Sequence, residues 1–356
     1  MKRVFIIPEP HIWDKNFKNR KDYPGEISDY LTDISNTISA MDGDKIIIFP
    51  GDIFHQGFSL VPSMTRALNY FTTLNRITNN NVYSVVGNHE LTYTACNPFW
   101  MMASDCTERF LVNRMSSTYG IFQPGIKVVD ELAVGNLRFI FGHYGRTDYE
   151  VQPFSSDLVL ISHNSIVEST VADVIQKKYG RETYVDYMKV TKLTSSAAIP
   201  ITAALKYVFV GHMHTMYSKF MVDDLIDHVP MIFHLQYLGS LGRTTIREVN
   251  NEDLIRTVPQ FIVEDDGTYT YEPFDVQLKP YEEVINVPVA NENAVKAAKV
   301  RTLKQIAATN VFGDTPEACV RRELENTPEC LTLFDQIFNS YSDDVIIALL
   351  KEANLL

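Results

Sequence analysis

The first half of the chain alternates short apolar runs with longer amphipathic stretches. Val4 to Ile7, Ile46 to Phe49 and Val82 to Val86 are continuous apolar or near-apolar segments, the pattern of buried strands. Between the first two, Ile27, Tyr30, Leu31, Ile34, Ile38 and Met41 recur at helical spacing. They predict a helix over 26–41, ended by Asp42-Gly43. Between the second and third runs, Met64, Ala67, Leu68, Phe71 and Leu74 predict another helix. Pro62 lies near its start, where a missing N–H costs little. This βαβαβ order implies an α/β fold with a mostly parallel, covered sheet.

The middle of the chain is richer in strands: Leu137 to Phe141, Leu158 to Ile161, Tyr207 to Val210 and Met231 to Leu235. A helix is expected near 166–178. Phe261 to Glu264, Asp265-Asp266-Gly267 and Thr268 to Glu272 read as a hairpin. From Glu292 the pattern is helical, with breaks near Gly313 and Pro328. The expected divisions are a core over 1–250, a small β-rich cap over 251–290 and a helical segment over 291–356.

Composition narrows the classes. Hydrophobic residues are 45% and charged residues 21%, a balance that excludes a mostly disordered chain. No apolar run approaches the ~20 residues of a membrane span. Met1-Lys2-Arg3 before Val4 is too short for a signal peptide. The four cysteines form no Cys-x-x-Cys pair and are too sparse for a disulfide scaffold, so a reducing, cytoplasmic compartment is expected. The net charge of −12 opposes phosphate backbones. A nucleic-acid role therefore needs local basic patches or bound cations. Lys15, Lys18, Arg20 and Lys21 form one such cluster, and Arg243 is a further candidate for backbone contact.

Five segments carry the chemistry, each just after a strand run. They are Glu9-Pro10-His11, Gly51-Asp52, Gly87-Asn88-His89, His163 and Gly211-His212-Met213-His214. In open α/β sheets ligands gather beyond the carboxyl ends of strands, so these side chains are expected to converge. Imidazole with carboxylate and no cysteine suits manganese, iron or zinc, and argues against a structural zinc site. Two metals roughly 3.5–4 Å apart can clamp a phosphate oxygen and activate water near neutral pH. Glycine before Asp52, Asn88 and His212 is expected to allow a tight backbone turn.

The ordered set resembles the calcineurin-like metallophosphoesterases, over residues 1 to about 245. The resemblance implies a two-sheet β-sandwich flanked by helices. It implies two divalent metal ions, manganese first, with magnesium, iron or zinc as alternatives. Glu9, His11, Asp52 and His214 would hold one ion. Asp52, Asn88, His163 and His212 would hold the other, with Asp52 bridging. His89 would protonate the leaving oxygen, a role suited to imidazole near neutral pH.

Gly51-Asp52-Ile53-Phe54-His55 and Tyr237-Leu238-Gly239-Ser240 look like segments of the SbcD-type DNA repair nucleases. That resemblance would make His55 an orienting group for the scissile phosphate. It implies DNA as substrate, a homodimer within a complex, and an SMC-like coiled-coil ATPase (SbcC type) as partner. A compact phage or bacterial form is expected, acting in the host cytoplasm if phage-encoded. The basic amphipathic stretch 294–306 and the apolar end from Val345 to Leu356 either dock on that ATPase or pack internally.

Two residues depart from the pattern. Glu9 stands where the family usually has aspartate, and Pro8 and Pro10 stiffen the backbone around it. Glu90 follows Asn88-His89 where these nucleases commonly have aspartate. The competing functions are a stand-alone small-molecule phosphodiesterase or phosphatase, and a non-catalytic assembly subunit whose metal site has decayed.

Overall fold

The computed structural model describes residues 1–17, 20–56, 61–92, 97–106, 125–145, 156–167, 187–189, 205–212, 214, 217–225, 229–242 and 255–286. The chain divides into two compact units, Met1–Ile285 and Asn286–Leu356. Apart from Asn286, the second unit lies outside the described residues, and with it the expected helices at 294–306 and 345–356. No described helix is long and apolar enough to cross a membrane.

The first part of the chain forms β1 (Lys2–Ile6), α1 (Tyr23–Ala40), β2 (Asp44–Phe49), α2 (Val61–Ile77), β3 (Val82–Ser84), α3 (Asn88–Thr92) and α4 (Pro98–Met102). There follow β4 (Ala103–Cys106), β5 (Ile126–Val128), β6 (Glu131–Val134), β7 (Leu137–Gly142), β8 (Asp157–Ser162), β9 (Ser165–Val167) and β10 (Tyr187–Lys189). Then come β11 (Leu205–Val210), β12 (Tyr217–Leu225), β13 (Val229–Tyr237), β14 (Ile255–Val258), β15 (Gln260–Val263), β16 (Tyr269–Tyr271), β17 (Phe274–Gln277) and α5 (Tyr281–Val284). The βαβαβ start is as the hydrophobic pattern predicts. Helix α1 begins three residues earlier than its apolar spacing suggests, because the Asp22 side chain caps it by accepting from the Gly25 amide at 3.1 Å. The helix expected over 166–178 gives way at its start to β9, and the rest of it lies outside the described residues.

A seven-stranded sheet runs β16-β15-β1-β2-β3-β5-β4, and a six-stranded sheet runs β12-β13-β11-β8-β7-β6. Each is parallel at its centre. In the first, β1, β2, β3, β5 and β4 pair in parallel; in the second, β13, β11, β8 and β7 do. Alternation along the strands builds two cores from one sheet. Val4, Ile6, Ile46 and Ile48 pack between the sheets against Phe139, Phe141, Val159, Ile161 and Phe209. Phe5, Ile7, Ile47 and Phe49 face the other way, under Ile27, Leu31, Ile34 and Ile38 of α1 and Phe71 and Leu74 of α2. Burial on both faces explains why these strands read as unbroken apolar runs. The result is a two-sheet sandwich flanked by helices.

The segment expected as a β-rich cap is placed differently. Its hairpin forms, but β15 pairs antiparallel with β1 and extends the seven-stranded sheet. Phe261 and Val263 alternate into the core between the sheets, which holds the hairpin there.

Candidate metal centre

Because β1, β2 and β3 are parallel to one another, as are β8 and β11, each sheet delivers its strand ends to one edge. The five sequence segments meet there. His11 Nε2 lies 3.0 Å from His214 Nε2, 3.5 Å from Glu9 Oε2 and 3.9 Å from Asp52 Oδ2. On the other side, Asn88 Oδ1 lies 2.9 Å from His163 Nε2 and 3.1 Å from His212 Nδ1. Asp52 Oδ2 is 3.3 Å from His163 Nε2 and 3.7 Å from His89 Nε2. Three donor groups result. Two, Glu9-His11-His214 and Asp52-His163-His212, have the Asp52 carboxylate facing both, and the third is His11-His55-His89.

The backbone is strained at this place. His11, Asp52 and His212 have φ of 45°, 46° and 61°. The other described non-glycine residues in the left-handed region are Asn79 and Asn80, of a type that tolerates it. Such conformations cost on the order of 1–3 kcal/mol each and gather at functional sites.

The glycines act differently from one another. Gly51 has φ +111°, so it does serve a turn. Gly87 and Gly211 give room instead. A Cβ on Gly87 would come within 2.2 Å of Asp52 Oδ1, and one on Gly211 within 2.2 Å of Glu9 Oε1. Their value is close approach to a carboxylate.

Glu9 uses both of its oxygens. Oε1 accepts from the His212 amide and lies 2.9 Å from His163 Nδ1, while Oε2 turns toward His11 and His214. The additional methylene of glutamate thus spans from the donor group to the β11 loop, over the bare Gly211. We expect Glu9→Asp to lose one of these two engagements. The manganese midpoint of activity should rise about 10-fold or more, the size seen when groups supporting a metal are lost. An unchanged midpoint in both Glu9→Asp and Glu9→Ala would remove Glu9 from the donor set.

Burial and mutual charge set the ionisation. Burial alone would raise the Glu9 and Asp52 carboxyls, but His163 and His11 overcome it. Glu9 is held well below the usual carboxylate range, and Asp52 at about 2. His163 shows the converse: burial disfavours its charge, and the Asp52 and Glu9 carboxylates raise it well above the ordinary imidazole value. Burial, with the neighbouring His11 and His89, lowers His55 to about 3, so it is neutral at pH 7.

His55 and His89 form a pair at one side of the centre, with ring centroids 4.7 Å apart. The His55 carbonyl accepts from His89 Nδ1, which directs Nε2 toward Asp52. The His89 amide donates to Asp52 Oδ1 at 3.0 Å.

Glu90, the second departure from the pattern, is fully buried and braces two loops at once. Its Oε2 accepts from the Asp52 and Gly87 amides at 2.9 and 3.0 Å, and Oε1 from the Phe54 amide at 3.4 Å. Burial and the Asp52 charge push its carboxyl up to about 8. Glu90→Gln puts an NH₂ against some of these donors. It should cost about 1–3 kcal/mol and weaken metal binding about 10–100-fold. Thermal unfolding and a manganese titration would show this; no change in either would mean the brace is dispensable.

Two neighbours were not singled out in the sequence. Tyr144 lies with its ring centroid 5.7 Å from His212 and 6.1 Å from His163. His143 accepts from the Val86 amide at 2.9 Å and donates to the Val129 carbonyl at 3.1 Å, which steadies the approach to Gly87-Asn88. Both follow a strand, β7, so the strand-end rule that found the others would also have found them.

The basic cluster is divided. Lys15 and Lys21 are exposed. Arg20 is a correction: it is buried, paired with Glu26, with its guanidinium 5.4 Å from the centre of the Tyr23 ring. It is committed to the fold and is not presented to a ligand, because the first turn of α1 supplies its counter-charge. Lys18 and Arg243 lie outside the described residues.

The donor set fits two divalent ions. It comprises two carboxylates, four imidazoles and one amide oxygen, and Glu9 Oε2 and His11 Nδ1 are buried with no hydrogen-bond partner among the described residues. Comparison with protein families matches residues 3–216 to the family described as calcineurin-like phosphoesterase. Among curated proteins nothing matches. Among solved structures, a 5'-nucleotidase precursor from Thermus thermophilus aligns with a TM-score of 0.40 and 11% identity, over 85% of this chain and 59% of its own. A putative 5'-nucleotidase from Staphylococcus aureus aligns at 0.38 and 11%, over 79% and 55%. A hypothetical protein, also from Thermus thermophilus, aligns at 0.37 and 11%, over 78% and 100%. This chain spans less than two thirds of the length of either nucleotidase.

Proposed function

Because the chain belongs to the calcineurin-like phosphoesterase family, a family of metal-dependent phosphoester hydrolases, we propose that it is a two-metal phosphodiesterase acting on DNA. In this reading Glu9, His11, Asp52 and His214 hold one divalent ion, and Asp52, Asn88, His163 and His212 hold the other. Manganese is the first expectation. When bound, the ions would supply a clamp on phosphate oxygens and would activate a water near neutral pH.

The other steps belong to the chain. Asp52 Oδ1 is fixed by the His89 amide, so Oδ2 stays turned into the centre. His89, held through Nδ1 by the His55 carbonyl, presents Nε2 on the same side and donates a proton to the departing sugar oxygen. Neutral His55 orients the phosphate beside it.

The observation that carries the nuclease reading is the His55–His89 pair. It is the spatial consequence of Gly51-Asp52-Ile53-Phe54-His55, the segment that looks like the SbcD-type nucleases. An SMC-like coiled-coil ATPase is the partner this reading brings, within a homodimeric complex, and a neighbouring gene for one would support it.

A second reading, a small-molecule phosphoesterase, draws on a different observation. With Arg20 buried and the net charge at −12, the chain has less to offer a long phosphate backbone. Hydrolysis of labelled duplex and single-stranded DNA, against a panel of small phosphomonoesters and diesters, separates the two. The assay uses manganese, alone and with the ATPase. DNA cleavage that rises with the ATPase supports the nuclease. Turnover confined to small esters supports the second reading.

A further inference from the structure

A cleft of about 470 Å³ lies between α1 and α2, within the size range of small-ligand sites. Ile12 and Trp13, the two residues after His11, are among its walls. Thr32, Asn36, Asn69 and Tyr70 add neutral polar groups. No lysine or arginine is among the described residues lining it, and its one carboxylate, Asp29, pairs with Lys279 at 2.6 Å. Such a lining does not suit a phosphate. It suits a neutral ring with its own donors and acceptors.

Trp13 joins this cleft to the metal centre. Its ring centroid is 4.9 Å from that of His55, and His55 is 4.7 Å from His89 and 5.6 Å from His11. The placement follows from the backbone: the Ile12 amide donates to the Ile53 carbonyl at 2.8 Å, and the His55 amide to the Ile12 carbonyl at 3.0 Å. Phe17 backs the indole, 5.0 Å from it and 4.8 Å from His55. The chain has two tryptophans. Trp100 is fully buried and donates to the Glu90 carbonyl, whereas Trp13 is only partly buried. A rigid ring, supported behind and open to a cleft beside a phosphate centre, is the geometry of a stacking platform.

We infer that Trp13 stacks on a nucleobase of the substrate and seats it in the α1–α2 cleft, next to the reacting phosphate. The inference rests on the phosphoesterase reading and names the group its substrate carries. A nucleobase can come from single-stranded nucleic acid or from a free nucleotide, and the cleft's chemistry is the same for both.

The test has a binding arm and a turnover arm, on the full-length chain. In the first, a nucleoside without phosphate is titrated against tryptophan emission. Quenching is expected, and it should vanish in Trp13→Phe, where Trp100 alone emits. No quenching, or equal quenching in Trp13→Phe, overturns the inference. In the second, the manganese-loaded protein is given four substrates. These are a single-stranded oligonucleotide, the same strand with abasic sugars, a 5'-nucleotide and glycerol phosphate. Trp13→Ala should lower kcat/KM on a base-bearing substrate about 10-fold more than on its base-free counterpart, chiefly through KM; stacking is worth ~1–3 kcal/mol per base. Trp13→Phe should restore most of it. The base-bearing substrate that shows the effect identifies the source. An equal loss on all substrates makes Trp13 merely structural and overturns the inference. Quenching without hydrolysis of any substrate would leave the subsite standing and defeat the phosphoesterase reading instead.

Discussion

Asp52→Asn should reduce phosphodiester hydrolysis by at least about 10³-fold and strip metal from both halves of the centre. The reason is position. Asp52 Oδ2 is within 3.9 Å of His11 and His163, one from each donor group, and the carboxylate is buried among imidazoles. Asparagine keeps the shape and removes the charge that both ions would share. Several kcal/mol of charge stabilisation are then lost, at ~1.4 kcal/mol per factor of ten. The left-handed backbone at residue 52, with φ 46°, remains accessible to asparagine, so the fold should survive. Metal content and turnover are measured on the same preparation. A variant that binds two ions and retains full activity would dismantle the bridging role.

His89→Asn should separate chemistry from metal binding. Its Nε2 approaches Asp52 at 3.7 Å, but its Nδ1 is given to the His55 carbonyl, and its ring stands beside the donor groups on the His55 side. Loss of a general acid lowers turnover roughly 10²–10⁴-fold, while both ions stay bound. A phosphodiester with a leaving group that needs no proton, such as a nitrophenolate, should recover most of the rate. Loss of metal from this variant would make His89 a ligand and end its role as the acid.

The strand ends were legible in the sequence for a physical reason. Strands buried on both faces read as unbroken apolar runs, so the first polar residues after Ile7, Phe49, Val86, Ile161 and Val210 mark the edge where ligands gather. Where the meaning of a residue depends on a distant partner, the pattern was silent. Arg20 belongs to a basic run and so suggested an exposed surface, but Glu26 on the first turn of α1 draws it inside. The hairpin over 260–271 was visible from its turn, yet nothing local says that its strand pairs with β1, at the other end of the core. The second duty of Glu9 depends on Gly211, whose missing side chain leaves space for Oε1. Glu90 looked like a variant of a motif, and its work as a brace appears only when the Asp52 and Gly87 amides are placed around it.

Asp52 lies between His11 and His163, and in the proposed centre this one carboxylate would join two metal sites. Electron paramagnetic resonance of the manganese-loaded protein reads this joining, with metal content determined in parallel. Two manganese ions per chain are expected, with the signal of an exchange-coupled pair, replaced in Asp52→Asn by uncoupled or absent manganese. A wild-type spectrum of isolated ions that persists when the protein is fully loaded would refute the shared carboxylate.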